Sequence, residues 1–164
     1  MVDQAIELLG ENFGLRGLPV TTTAEEPLSG GDAGQIEQAE QLAPGVKLPD
    51  DVKERLLQHY GANFTKIVEL AGADPAAARS MGGHDLTAAE VRYTVKDEMA
   101  MTVTDFFTRR ASLFYWTQDG GLDTVDAVAQ EMGNLLGWDD VQREQQINDY
   151  RKWVADNRFE PVQA

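Results

Sequence analysis

Residues 125–136 read Val125-Asp126-Ala127-Val128-Ala129-Gln130-Glu131-Met132-Gly133-Asn134-Leu135-Leu136. Val125, Val128, Ala129, Met132, Leu135 and Leu136 recur at intervals of three and four, the period of an α-helix with one buried face. Gly137 closes that helix, because glycine takes the left-handed conformation at a helix end without a Cβ clash. Asp139-Asp140 opens another, which carries Ile147, Tyr150, Trp153 and Val154.

The same pattern continues toward the N-terminus. Thr87-Ala88-Ala89-Glu90 has the form of a capping box, in which the Thr hydroxyl and the Glu carboxylate reciprocally satisfy free N–H groups. The helix it starts shows Val91, Val95 and Met99 four residues apart. Thr102-Val103-Thr104-Asp105 starts the next, leading to Phe106, Phe107, Leu113 and Phe114. Pro49-Asp50-Asp51 opens a segment with Val52, Leu56, Leu57 and Tyr60 on one face and Gly61 at its end. Phe64, Ile67, Val68 and Ala71 make a shorter stripe closed by Gly72, and residues 35–43 a short helix stopped by Pro44-Gly45. Val2, Ala5, Ile6, Leu8, Leu9 and Phe13 form one stripe near the start, followed over 14–34 by a Gly-, Pro- and Thr-rich stretch that reads as a long extended connection. No segment gives a clear period-two strand. The expected architecture is all-α, an irregular helical bundle with an extended N-terminal arm.

Charge narrows the function classes. The 164 residues hold 28 Asp and Glu against 14 Lys and Arg, a net charge of -14. The first 46 residues carry eight acids and one base, half of that excess. Such a surface repels phosphate backbones and anionic headgroups, which argues against nucleic-acid binding and against a polybasic membrane contact. With no Cys, thiol catalysis, thiolate metal sites and disulfides are excluded. No apolar run approaches the ~20 residues of a membrane span, and Met1-Val2-Asp3-Gln4 lacks the layout of a secretory signal, so a cytoplasmic location is expected.

Catalytic motifs are missing. Gly30-Gly31-Asp32-Ala33-Gly34 does not fit a dinucleotide loop and reads as a turn. His59 and His84 stand 25 positions apart with no Cys nearby, and read as helix-end or loop residues. No catalytic, cofactor-binding or metal-binding residue is assigned. One constellation stands out: helical counting puts Glu98 on the face of Val91 and Val95, and Arg110 beside Val103, Phe106, Phe107 and Phe114. A buried charge costs several kcal/mol unless paired, so Glu98 and Arg110 are expected to meet. Arg109 then points elsewhere, with Asp105 four residues back as its partner. Glu90, Glu98, Asp105, Arg109 and Arg110 are the candidate structural or interface residues. Structural clamping is favoured over an anion site or a docking point. Phe106, Phe107, Phe114, Tyr115 and Trp116, followed by Trp138 and Trp153, read as core, with a docking patch as the rival.

Several segments carry a family resemblance in their order and spacing: Pro27-Leu28-Ser29-Gly30-Gly31, Tyr60-Gly61-Ala62-Asn63, Glu90-Val91-Arg92-Tyr93, Glu98-Met99-Ala100, Asp105-Phe106-Phe107-Thr108-Arg109-Arg110, Glu131-Met132-Gly133 and Leu136-Gly137-Trp138. Together they resemble the C-terminal helical domain of FAD-dependent glycerol-3-phosphate dehydrogenases, in particular the alpha-glycerophosphate oxidase branch. Phe107 stands where that family more often has Leu. The resemblance implies that residues 1–34 are the last helix of a flavin domain plus a linker arm, and that 35–164 are the C-terminal domain. It implies a parent enzyme that oxidises sn-glycerol 3-phosphate to dihydroxyacetone phosphate with FAD, while this fragment holds no cofactor and is inactive alone. The implied partners are the flavin and substrate domains of the same chain, with a second subunit as a further candidate. A peripheral position of the parent at the inner face of the membrane is also implied. The rival reading is a stand-alone acidic helical interaction module.

Overall fold

The computed structural model describes residues 2–14, 22 and 24–158. Among them the chain is helical without a strand, save for one isolated antiparallel bridge between Ser80 and Thr87. In chain order the helices are α1 (Val2–Phe13), α2 (Ala33–Leu42), α3 (Asp50–Tyr60), α4 (Phe64–Ala73), α5 (Ala88–Asp97), α6 (Val103–Asp105), α7 (Leu113–Trp116), α8 (Val125–Leu136) and α9 (Asp140–Asn157).

Caps explain most of these boundaries. The Thr87 and Thr102 side chains accept the N–H groups of Glu90 and Asp105, and Asp139 and Gln142 complete a reciprocal capping box ahead of α9. Asp32, from the Gly-rich stretch read as a turn, accepts the Gln35 N–H at 2.8 Å and so starts α2 before residue 35. Gly137 ends α8 with φ of 73°. Gly72, expected to end α4, lies within it: its φ is ordinary, and the helix runs on to Ala73.

Two expected helices differ in ways that matter for the site. α5 stops at Asp97 because the N–H groups of Glu98 and Ala100 both bond the Thr94 carbonyl, while Met99 turns into the left-handed region at φ 57°. Met99 therefore leaves the apolar stripe of Val91 and Val95 and points to solvent. The segment after Thr102 is no continuous α-helix. Phe106–Arg110 forms a π-helical turn, closed by the Ala111 N–H on the Phe106 carbonyl at 2.8 Å. Ser112 comes next at φ 56°, and the chain restarts as α7. The wider turn lets the consecutive residues Phe106 and Phe107 both bury fully.

The core has two parts with α5 between them. Val91 and Val95 pack with Phe106, Phe107, Val125, Val128, Met132, Ile147 and Tyr150. Ala89 and Tyr93, from the same helix, pack with Val52, Leu56, Tyr60, Phe64 and Ile67 of α3 and α4. Of the aromatic residues read as core, Phe106, Phe107 and Phe114 are buried and Trp138 and Trp153 pack against them. Tyr115 and Trp116 are exposed, so that part of the expectation is corrected: the short α7 turns them outward.

Of the connection expected over 14–34, residues 15–21 and 23 lie outside the described residues. The described remainder carries turns at 24–26 and 29–30 rather than extended chain. It is also tied down: the Ala62 N–H donates to the Gly30 carbonyl at 2.9 Å, and Asn63 donates to the Ser29 hydroxyl at 3.0 Å. A Cβ on Gly30 would stand 2.5 Å from the Tyr60 carbonyl oxygen, and one on Gly61 would overlap the Gly30 carbonyl. The two Gly-bearing segments thus pack backbone to backbone. Helix α1, by contrast, leaves Leu8, Leu9 and Phe13 of its stripe exposed.

Candidate functional site

Helix α5 projects charged side chains toward both neighbours. On one side the Glu90 carboxylate, fully buried, receives both terminal nitrogens of Arg55 at 2.9 and 2.6 Å and the Tyr60 hydroxyl at 2.8 Å. Arg55 also donates to the Asp85 carbonyl at 2.9 Å. On the other side Arg92 bridges Glu131 of α8 at 2.5 Å and Asp74, just past α4, at 2.6 Å, and Arg79 adds a longer contact to Glu131.

The electrostatics follow from burial and pairing. Burial works against the Arg55 charge, yet the hydrogen bonds and charge of Glu90 outweigh it and raise its guanidinium above the ordinary value. Burial first, and then the neighbouring Glu90 carboxylate, push the Tyr60 hydroxyl well above its usual range. Tyr60 therefore stays protonated and serves as a donor. For Arg92 the hydrogen bonds to Asp74 and Glu131 raise the pKa.

Glu90 is where the capping-box reading needs correction. Its backbone N–H does bond Thr87, but its carboxylate does not reach back to the helix start; it turns to Arg55 and Tyr60. A fork of two charge-assisted bonds plus a hydroxyl is a better partner set for a buried carboxylate than one peptide N–H.

The Glu98–Arg110 contact exists in a different form from the helical counting. Glu98 is the C-cap of α5 rather than a member of its stripe. Arg110 Nε lies 3.5 Å from the Glu98 carboxylate, while Nε and Nη2 donate to the Glu98 backbone carbonyl at 3.0 and 2.6 Å. Arg110 is thus mainly a carbonyl cap for α5, favourably placed at the negative end of the helix dipole. About a third of its side chain is exposed, because the π turn rotates it off the apolar stripe. Desolvation raises the Glu98 pKa, with Arg110 and His59 pulling the other way. Arg109 bonds Asp105 at 2.9 Å, and Asp105 also accepts the Thr102 hydroxyl at 2.8 Å.

His59, in the last turn of α3, joins this group by donating Nε2–H to the Arg110 carbonyl at 2.5 Å. Arg55, Gln58 and His59 of α3 then face Ala111, Ser112, Leu113 and Trp116 across a groove of about 320 Å³. Among the described residues, this groove brings exposed Trp116 beside the buried Arg55–Glu90–Tyr60 cluster. The cluster's carboxylate and phenol are committed to each other and to Arg55, so the arrangement holds helices together and presents a surface. Sequence reasoning missed Arg55 and the Arg92–Glu131–Asp74 bridge, whose partners stand far apart in the chain. No local signal marked them: helical spacing places Glu90 beside Thr87, Thr94 and Asp97, which reads as an ordinary polar face.

No helix among the described residues is long and apolar enough to cross a membrane. The family model described as the C-terminal domain of alpha-glycerophosphate oxidase matches residues 21–143. Alpha-glycerophosphate oxidase of Streptococcus pyogenes is 30% identical over 158 residues, covering 93% of this chain and 25% of that protein. Aerobic glycerol-3-phosphate dehydrogenase of Staphylococcus epidermidis is 28% identical over 151 residues, covering 88% of this chain and 27% of the relative. The chain thus spans about a quarter of the length of these curated relatives. Among solved structures, the glycerol-3-phosphate dehydrogenase of Bacillus halodurans, complexed with FAD, superposes with a TM-score of 0.78 at 22% identity. That match covers 98% of this chain and 33% of the other, and it establishes the fold as that of a region within a larger protein. The motifs Pro27–Gly31 and Tyr60–Asn63 both fall within the matched segment and meet in space. By the extent of the family match, the chain belongs to the family of the C-terminal domain of alpha-glycerophosphate oxidase.

Proposed function

We propose that this chain is the accessory C-terminal domain of an FAD-dependent oxidoreductase that converts sn-glycerol 3-phosphate to dihydroxyacetone phosphate. In this reading residues 1–34 are the last helix of the flavin domain and its linker, and 35–164 are the accessory domain. Hydride transfer from carbon 2 of the substrate to FAD belongs to the parent's flavin domain, and the fragment alone is inactive.

The observation that carries the reading is the asymmetry of coverage. Relatives named as glycerol-3-phosphate dehydrogenase and oxidase match 88–93% of this chain with only 25–27% of their own length. The residues here do not fit FAD themselves. The paired glycines Gly30 and Gly31 could serve a pyrophosphate only with free backbone approach, whereas Gly30 packs on the Tyr60 and Gly61 backbone. Glu90, Glu98, Asp105, Arg109 and Arg110 act in this proposal as structural and interface residues. The exposed stripe of α1 and the groove beside Trp116 are the surfaces offered to the flavin and substrate domains, or to a second subunit. A cytoplasmic location, with the parent peripheral at the inner membrane face, is part of the same proposal.

The test is an immunoblot of the source cells with antibody raised against this chain, followed by absorbance of the enriched species. A band several-fold heavier than 18.1 kDa with flavin absorbance supports the reading. A flavin-free band at 18.1 kDa sinks it and favours the stand-alone interaction module, for which exposed Tyr115 and Trp116 are the supporting observation.

A further inference from the structure

We propose that the groove between the end of α3 and α7, with Trp116 at its rim, docks the catalytic portion of the parent polypeptide, the part that precedes this chain. This docking presupposes the flavoenzyme parent and commits the groove to one occupant. Three observations support it: a rigidly presented aromatic anchor, an acid-free window in an acidic surface, and the point at which the chain enters the domain.

Trp116 is 83% exposed and its neighbour Tyr115 63%. Adjacent aromatic side chains left in water are characteristic of interface anchors. The backbone is built to present them. The π turn over Phe106–Arg110 and the left-handed Ser112 swing α7 outward, and a non-glycine residue keeps that conformation only when its surroundings hold it. Arg158, at the end of α9, then fixes α7 from beneath. Its guanidinium donates to the Phe114 carbonyl at 2.6 Å and to the carbonyls of Thr117 and Gln118, and lies 5.2 Å from the centre of the Phe114 ring. The Thr117 hydroxyl closes the turn on the Leu113 carbonyl at 2.8 Å. Trp116 is thus held in place before any partner arrives, which lowers the ordering cost of binding.

None of the residues lining the groove is acidic, although the chain carries 28 Asp and Glu. Interfaces gather aromatic groups and exclude carboxylates at their centre, and such a window lets another body approach without facing like charges. Topology selects the occupant. Asn63 donates to the Ser29 hydroxyl and the Ala62 N–H to the Gly30 carbonyl, just past the end of α3. The segment leading back toward the N-terminus therefore joins the domain at the same end of α3 that carries His59 and the groove. Relatives match this chain with only 25–27% of their own length, and the family description, a C-terminal domain, puts the remainder ahead of it. A body tethered at that point has a high effective concentration over the groove. A second copy is untethered and shares the net charge of -14.

The experiment is hydroxyl-radical footprinting of the tryptophans, on the 164-residue chain and on the heavier species that antibody to this chain recovers from the source cells. Trp138 and Trp153, packed against the core, are the internal references. Trp116 is expected to label fastest in the 164-residue chain and to fall several-fold, relative to the references, in the heavier species. Trp116→Ser is expected to speed protease cutting of the 24–31 segment in the heavier species and to leave it unchanged in the 164-residue chain, whose groove is already empty. A merely structural tryptophan would change both. Equal labelling of Trp116 in the two species overturns the docking and leaves the flavoenzyme reading standing. Protection that rises with the concentration of the 164-residue chain alone gives the groove to a second copy and also overturns the docking. Recovery of only an 18.1 kDa species sinks both.

Discussion

The Arg55 guanidinium grips the Glu90 carboxylate through two hydrogen bonds, of 2.9 and 2.6 Å, and so joins α3 to α5 across 35 residues of sequence. Glu90 has no exposed surface, whereas Arg55 keeps about 30% of its side chain exposed. The buried carboxylate is therefore the vulnerable partner. Removing one member of a buried pair leaves the other charge uncompensated, at about 3–5 kcal/mol. Arg55→Leu is expected to lose stability on that scale in urea unfolding. Tyr60→Phe, which removes one hydroxyl donor to the same carboxylate, loses about 1–3 kcal/mol. Because apolar replacement of both charges is often near neutral, Arg55→Leu combined with Glu90→Leu is expected to recover much of the single variant's loss. A double variant as unstable as the sum of the single changes would show that the fork itself, rather than the stranded charge, dominates.

The meeting of Gly30 with Gly61 makes a second prediction. Gly61 has φ of 53°, and a Cβ on it overlaps the Gly30 carbonyl. Gly61→Ala combines backbone strain of about 1–3 kcal/mol with displacement of the link. The Ala62 amide, which now donates to Gly30, is expected to exchange its hydrogen faster, and the 24–31 segment to become more sensitive to protease. Gly72→Ala is the control. It sits inside α4 with open space around it, and alanine's higher helix propensity is expected to leave stability unchanged or raise it by up to about 1 kcal/mol.

Much of the fold was legible because helix periodicity and caps are local. The stripes of α3, α8 and α9, and the caps at Thr87, Thr102 and Asp139, all arise from residues within one or two turns of each other. Two departures came from backbone choices that leave no local mark. Met99 and Ser112, neither glycine, adopt left-handed conformations, and a π turn replaces an α turn after Asp105. With α5 closing at Asp97 ahead of the Met99 reversal, Glu98 caps the helix instead of continuing its stripe, and the π turn rotates Arg110 about the helix axis. That is why helical counting placed both deeper than they lie. Glu90 was legible only as a cap, because its real partners, Arg55 and Tyr60, are brought to it by the packing of α3 on α5. The contact between the Pro27–Gly31 and Tyr60–Asn63 motifs is likewise a product of topology, although both motifs were visible in the sequence.

Arg109 and Arg110 stand next to each other yet differ in what they hold, which gives a paired prediction. Arg110 places two donors on the Glu98 carbonyl at the end of α5, and charge-assisted bonds of this kind contribute about 1.5–3 kcal/mol. Arg109 is mostly exposed and makes one i,i+4 pair with Asp105, a type worth about 0.3–0.5 kcal/mol. Arg110→Ala is expected to lower the unfolding free energy by the larger amount, and Arg109→Ala to stay within the smaller. Arg110→Gln, which keeps a neutral donor for the carbonyl, separates capping from charge: it recovers part of the loss if the carbonyl contact dominates. Equal effects from Arg109→Ala and Arg110→Ala would refute the capping role.

The Glu98 carboxyl supplies a pH signature at the same junction. Desolvation raises its pKa in the folded chain, and Arg110 and His59 only partly oppose this. An acid whose folded pKa lies above its unfolded value binds more protons when folded, so it favours folding most where it is protonated. Its contribution is therefore fully present below the unfolded value, about 4.3 for glutamate, and is lost as pH rises through the higher folded value. Glu98→Gln removes the titration while keeping the backbone carbonyl that Arg110 caps. The difference in unfolding free energy, wild type minus Glu98→Gln, is expected to fall as pH rises from about 4 toward neutrality. Urea unfolding of both proteins across that range measures it directly. A difference that grows with pH instead would mean that the Arg110 ion pair, 3.5 Å away, outweighs desolvation, and Glu98 would then be a stabilising anion rather than a strained one.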